Sequence, residues 1–252
     1  GQLKTSSQLS ALTKGELRLY FSIRIYVMNT IVGMLIVLGV AVLSLFKGSE
    51  FITSILVVPE ISTMLEAEKL SALIACGTLI ITIFGIGLTC TTMSSISLEG
   101  TNLWIKKTLP VSEKEIFKAK IISNLILTIP AAILSNIIFY VALKFDVIYL
   151  MLNIIIAIVF SVLNAVLGLL INVYFPKLDW SNPTVVVKQS AAVFIGIVVT
   201  FASIALPIAV FLLLKVENIL MFLSFLAIIF LAVAFIAWNI LMTKGVKQFK
   251  ML

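Results

Sequence analysis

The sequence predicts an all-α membrane protein with six transmembrane helices, both termini cytoplasmic, an amphipathic elbow helix before the first span and a short cytoplasmic helix between the second and third. Three observations carry this. The chain of 252 residues is 62% hydrophobic and 12% charged, whereas a soluble domain is roughly half apolar and about a quarter charged. Six stretches contain no charged residue: 25–46, 70–98, 121–143, 147–176, 189–214 and 218–243. Each exceeds the ~20 helical residues that cross a hydrocarbon core of ~30 Å. The third observation is the placement of lysine and arginine, which are far more numerous at one end of the spans than at the other.

The elbow comes first, in 1–24. Leu12 to Tyr26 reads LTKGELRLYFSIRIY, with Leu12, Leu19 and Ile23 on one side and Lys14 and Arg18 elsewhere, the pattern of a helix lying on the inner surface. No cleavable leader is evident, because Gly1 to Arg24 is polar rather than a short apolar core. Gly1 is not an initiator methionine, so the chain is expected to be a fragment or one half of a longer protein.

Fourteen of the 18 basic residues lie before the first span, in the 99–120 loop, after span four or at the C-terminal end. The opposite connections hold Lys47, Lys69, Lys144 and Lys215 with six acids. This asymmetry places both termini inside, and the +7 net charge reads as topology rather than nucleic-acid binding. The external loop 47–69 is acidic, and Pro59 is placed to start a lead-in to span two. The connections at 144–146 and 215–218 read as tight hairpins.

Spans two to five carry ordered small and polar stripes. Thr78, Thr82, Gly85, Thr89 and Thr92 share one face of span two; span three offers Asn124, Thr128, Ala131 and Ser135. Span four has Asn153, Ala157, Ser161, Asn164 and Gly168, and span five Gly196, Thr200, Ser203 and Pro207. Close helix packing is the simpler reading, since small and hydroxylated residues let membrane helices approach, and a pathway lining is the other. Pro130 and Pro207 are expected to kink spans three and five.

Several chemistries have no residues to perform them. With no histidine and two cysteines, neither a disulfide framework nor a zinc site is expected. Cys76 and Cys90, on one predicted helix, stand too far apart to bridge. No P-loop, dinucleotide fingerprint or nucleophile elbow occurs, so no enzymatic activity and no cofactor are expected in this chain. Ionisable groups are missing from the six spans, which disfavours a proton-driven carrier.

The loop Glu99 to Lys120, EGTNLWIKKTLPVSEKEIFKAK, is the most informative segment. Thr101 to Thr108 makes a short amphipathic helix bearing Trp104 and the Lys106/Lys107 pair, Leu109-Pro110 ends it, and Ser112 with Glu115 forms a capping box that restarts the chain into span three. By composition alone, Trp104 and the lysines also suit anchoring at lipid headgroups. In Phe175 to Gln189, Ser181 or Asn182 can cap and Pro183 can open helix five.

These segments resemble the ABC-2 type permeases, in particular an exporter group common in Gram-positive bacteria. The resemblance rests on ELRLYFSIRIYVMNTIVG from Glu16, SLEGTNLWIKKTLPVSEKEIFKAKI from Ser97 and NVYFPKLDWSNPTVVVKQS from Asn172. It implies a permease module in the bacterial plasma membrane that pairs with a second permease module and with cytosolic ATPase subunits, which would bind ATP and magnesium. It also implies that Glu99, Asn102, Trp104, Lys106, Lys107, Pro110, Ser112 and Glu115 form the coupling element received by the ATPase. The expected function is outward movement of a hydrophobic or amphipathic substrate. The alternatives are an ATP-independent carrier or channel, or a scaffold or sensor subunit. Thr78, Thr82, Thr89, Thr92, Asn124, Thr128, Asn164, Thr200 and Ser203 are the candidates for pathway or packing. The chain departs from the family in its minimal connection between spans five and six, and in being about half the length of many members.

Overall fold

A computed structural model describes residues 7–56 and 67–252, without the side chains of 49, 51–56 and 67–68. The described residues form helices and connecting turns, with no strand among them. Helix α1 (Gln8–Ser22) is capped by the Ser7 hydroxyl, which accepts from the Ser10 N–H. Ile23 then adopts an extended conformation, and the chain turns into α2 (Arg24–Leu56). The remaining helices are α3 (Ala67–Leu88), α4 (Leu103–Thr108), α5 (Glu113–Leu143), α6 (Val147–Tyr174), α7 (Pro183–Gln189), α8 (Ala191–Leu213), α9 (Ile219–Ile240) and α10 (Val246–Met251).

Among the described residues six segments are helical, long and apolar enough to cross a membrane. The molecule is a multi-pass membrane protein. The apolar stretches of spans two and four are each 56% buried and that of span five only 11%. Spans two and four are therefore the inner ones, span four packed by α3, α5, α8 and α9, while span five lies at the edge. Helices α1, α4 and α10 gather at one end of the bundle, called here the terminal end; the turns at Lys144 and Lys215 mark the hairpin end. Spans one and two cross where small residues allow it. A Cβ added at Gly33 would clash with the Gly85 carbonyl oxygen.

The elements differ from the sequence expectation at four places. The first helix continues past 46 to Leu56, so the connection is shorter than 47–69; Pro59 lies outside the described residues. Span two does not run helically to 98. Helix α3 ends at Leu88, Cys90 is extended, and 89–102 continues through short 3-10 turns at Thr91–Met93 and Ser97–Asn102. Cys76 and Cys90 thus do not share one helix, and both are free thiols.

Span five is likewise in two pieces, because Ser190 is extended and its hydroxyl caps α8 by accepting from Val193 N–H. After span six a wide turn at Leu241–Gly245 leads into α10, whose Phe249 packs edge-on against Phe117. Pro130 and Pro207 both sit within unbroken helices, α5 and α8.

Candidate functional site

The site is built around the non-helical segment that follows α3. Irregular backbone survives at membrane depth only where protein satisfies its polar groups, and three asparagines do so here. Asn164 of span four donates to the Ile86 carbonyl at 3.1 Å, near the end of α3. Asn124 of span three accepts from the Thr91 N–H at 2.8 Å and its hydroxyl at 2.9 Å. Asn172 of span four accepts from the Ile96 and Ser97 N–H groups and donates to the Ser97 hydroxyl at 2.7 Å. Tyr26 adds a bond from its hydroxyl to the Thr91 carbonyl. Burial pushes the Tyr20 phenol above its ordinary range, and its hydroxyl pairs with that of Thr30 at 3.0 Å.

Where this segment emerges at the terminal end, four charges meet. Lys120, fully buried two turns into α5, bonds both carboxylate oxygens of Glu16, the Glu99 carboxylate at 2.7 Å and the Ser95 carbonyl at 2.9 Å. Lys106 of α4 contacts the same two carboxylates. Two carboxylates and two ammoniums thus form a neutral quartet that ties α1, the irregular segment, α4 and α5 together. Its lysines compensate charges that would be costly to leave unpaired at this burial.

The same short loop has an opposite, outward side. Gly100 takes a φ of 55°, and a Cβ there would meet the Trp180 indole at 3.1 Å. The indole N–H in turn donates to the Ser97 carbonyl at 2.7 Å. From this fixed turn α4 projects Trp104, 62% exposed, with Ile105 and Lys107 also exposed. Lys107 reaches the Lys250 carbonyl and lies 5.8 Å from the Phe249 ring, binding the loop to α10. Asn102, Pro110 and Ser112 are exposed; Ser112 caps α5 by accepting from the Glu115 N–H, while the Glu115 carboxylate pairs with Lys118.

No protein-family model, curated protein or solved structure matches this chain.

The structure divides the expected coupling residues. Glu99 and Lys106 turn inward to the quartet; Asn102, Trp104, Lys107, Pro110 and Ser112 face outward. The stripe residues Thr78, Thr82, Thr89, Thr92, Asn124, Thr128, Asn164 and Thr200 are buried, and Ser203 is half-buried. Hydroxyls of Thr78, Thr82, Thr89, Thr128, Thr200 and Ser203 donate to carbonyls three or four residues earlier in the chain. Thr89 and Thr92 lie beyond the end of α3.

Glu16, Lys120, Asn172 and Trp180 were not among the residues expected from sequence to form the site. Glu16 sits in the buried stripe Thr13, Glu16, Tyr20 of the elbow, with Leu12 and Leu19 half-buried beside it. The available signal was an acid on an otherwise basic elbow and a lysine abutting a charge-free run. Among the described residues no group of three metal-ligating side chains occurs.

Proposed function

We propose that the chain is the membrane-spanning permease subunit of an ATP-binding-cassette exporter. The site performs no chemistry; a separate cytosolic ATPase subunit binds ATP and magnesium and supplies the motive force. The terminal end faces the cytoplasm, in keeping with the thirteen described basic residues of its helices and connections. A second permease module packs beside the first, and the substrate is hydrophobic or amphipathic.

One observation carries this reading: α4 is two-sided. Its outer face offers Trp104, Ile105 and Lys107, while its inner face enters the quartet through Lys106. A push on the outer face therefore reaches α1 through Glu16 and span three through Lys120, rather than dissipating in a loose loop. The bistable element is the packing between modules, with spans two and three tilting against span five of the facing module. A lipid anchor needs the outer face only; it has no use for a rigid inner connection.

Purification of the native complex in mild detergent tests the reading. The expected result is an ATPase subunit in stoichiometric association, with Trp104→Ala abolishing nucleotide-driven export while the protein remains folded. Transport by the chain alone in liposomes without nucleotide would mark it as a secondary carrier or channel. Assembly defects without any transport phenotype would mark it as a scaffold.

A further inference from the structure

A small cavity of about 10 Å³ lies at the terminal end, between the elbow helix α1, the first turn of α2, the irregular segment and α5. Glu16, Tyr20, Tyr26, Thr91, Ser95 and Ser123 contribute to its wall, and each is more than nine-tenths buried. That volume is about the room one water needs, and a water is held inside a protein where about two to four polar groups meet it. Cavities that stay empty are lined by hydrocarbon, whereas six of the ten residues around this one carry a side-chain oxygen.

The hydroxyls of this wall have already committed their protons. Ser123 donates to the Lys120 carbonyl at 2.8 Å, Ser95 to the Thr92 carbonyl at 3.2 Å, Tyr26 to the Thr91 carbonyl and the Thr91 hydroxyl to Asn124 at 2.9 Å. Thr30 gives its proton to the Tyr26 carbonyl at 2.8 Å, so in the Tyr20–Thr30 pair it is Tyr20 that donates. What remains is lone pairs. Each hydroxyl oxygen can still accept, and the Glu16 carboxylate is unevenly loaded: among the described residues Oε1 accepts from Lys106 and Lys120, and Oε2 from Lys120 alone. A wall of acceptors selects a guest that donates. The quartet beside it is already neutral, so a cation would bring a buried charge without a counter-charge. The neutral donor of this size is water.

From the volume and the acceptor wall, we propose that the cavity is the binding site of one ordered water, which donates to Glu16 Oε2 and to the hydroxyl oxygen of Ser95 or Ser123. The water fastens the elbow to the core beside the Lys120 bridge. It needs neither nucleotide nor partner and stands or falls apart from the export reading.

Electron cryomicroscopy of the purified full chain in nanodiscs, carried to a resolution that shows internal waters, should place one density peak within hydrogen-bonding distance of Glu16 and of a wall serine. Hydroxyl-radical footprinting gives a second readout, because radiolysis of a trapped water oxidises the side chains around it. Tyr26, only 4% exposed, should oxidise despite its burial. Ser123→Val, which removes an acceptor and fills the space with methyl groups, should abolish the peak and lower the Tyr26 rate several-fold, leaving the exposed Tyr174 unchanged. If Ser123→Val fails to fold, Ser95→Val carries the same comparison. A map that shows waters elsewhere in the core but no peak here would overturn the site, as would a Tyr26 rate that filling the cavity does not lower. A peak ringed by six oxygens at about 2.4 Å, the coordination of a hard cation, would overturn water as its occupant.

Discussion

The Lys120 ammonium and the Glu16 carboxylate stand 104 positions apart in the chain and meet at 3.0 Å inside the protein. The bond joins an elbow helix on the bundle's edge to a membrane span. Removing one partner leaves an uncompensated charge, whereas the intact set is neutral. Lys120→Met should therefore destabilise by about 3–5 kcal/mol, read as a lowered denaturation midpoint in detergent. The double variant Glu16→Gln/Lys120→Met should lose less than the sum of its single changes. Strict additivity would mean that the two charges do not stabilise each other.

Asn172 holds the Ile96 and Ser97 N–H groups with one oxygen. Asn172→Ala should cost about 1–3 kcal/mol for each N–H left without an acceptor. Hydrogen exchange at Ile96 and Ser97 should accelerate well before exchange in the middle of α6. Unchanged protection at both amides would show that another acceptor serves them.

Gly33 and Gly39 occupy the same helix but have different surroundings. A Cβ at Gly33 meets the Gly85 carbonyl, while one at Gly39 meets nothing within 4 Å. Gly33→Ala should cost about 1–3 kcal/mol through displaced backbone, and Gly39→Ala should be neutral or stabilising by up to about 1 kcal/mol. Paired thermal melts decide the matter, and equal shifts would contradict the close crossing of spans one and two.

Trp180 packs against Gly100 just before the start of α4. Gly100→Ala should cost about 1–2 kcal/mol for the left-handed backbone alone, with the indole contact adding to it. Trp180→Phe removes the bond to the Ser97 carbonyl but keeps an aromatic wall. Limited proteolysis should then cut within 99–110 faster in both variants, with Gly100→Ala the more sensitive. Wild-type cutting rates in both would show that this turn is held elsewhere.

The spans are legible in the sequence because a bilayer demands long apolar runs, so 147–176 nearly coincides with α6, while 121–143 lies inside α5, which starts about two turns earlier at Glu113. Caps are legible for a local reason: Ser112 and Asn182 need only residues two or three positions ahead. The end of α3 at Leu88 is not. TCTTMSSISL carries six hydroxyls in ten residues against three in the 22 of α3, but it holds no charge, glycine or proline to mark a break, and its freed N–H groups are met by acceptors on other spans, Asn124 and Asn172. The quartet was hidden for the same reason. Glu99 and Lys106 read as exposed loop charges until Glu16 and Lys120, remote in sequence, are brought beside them.

On the proposed function, the outer face of α4 receives an ATPase while its inner face holds the bundle. A photoreactive amino acid in place of Trp104, activated in native membranes, tests it most directly. A single dominant adduct with a P-loop ATPase subunit is expected, changed in yield by ATP and diminished by Lys107→Glu. Adducts with lipid alone, with or without nucleotide, would contradict it and leave α4 as a membrane anchor.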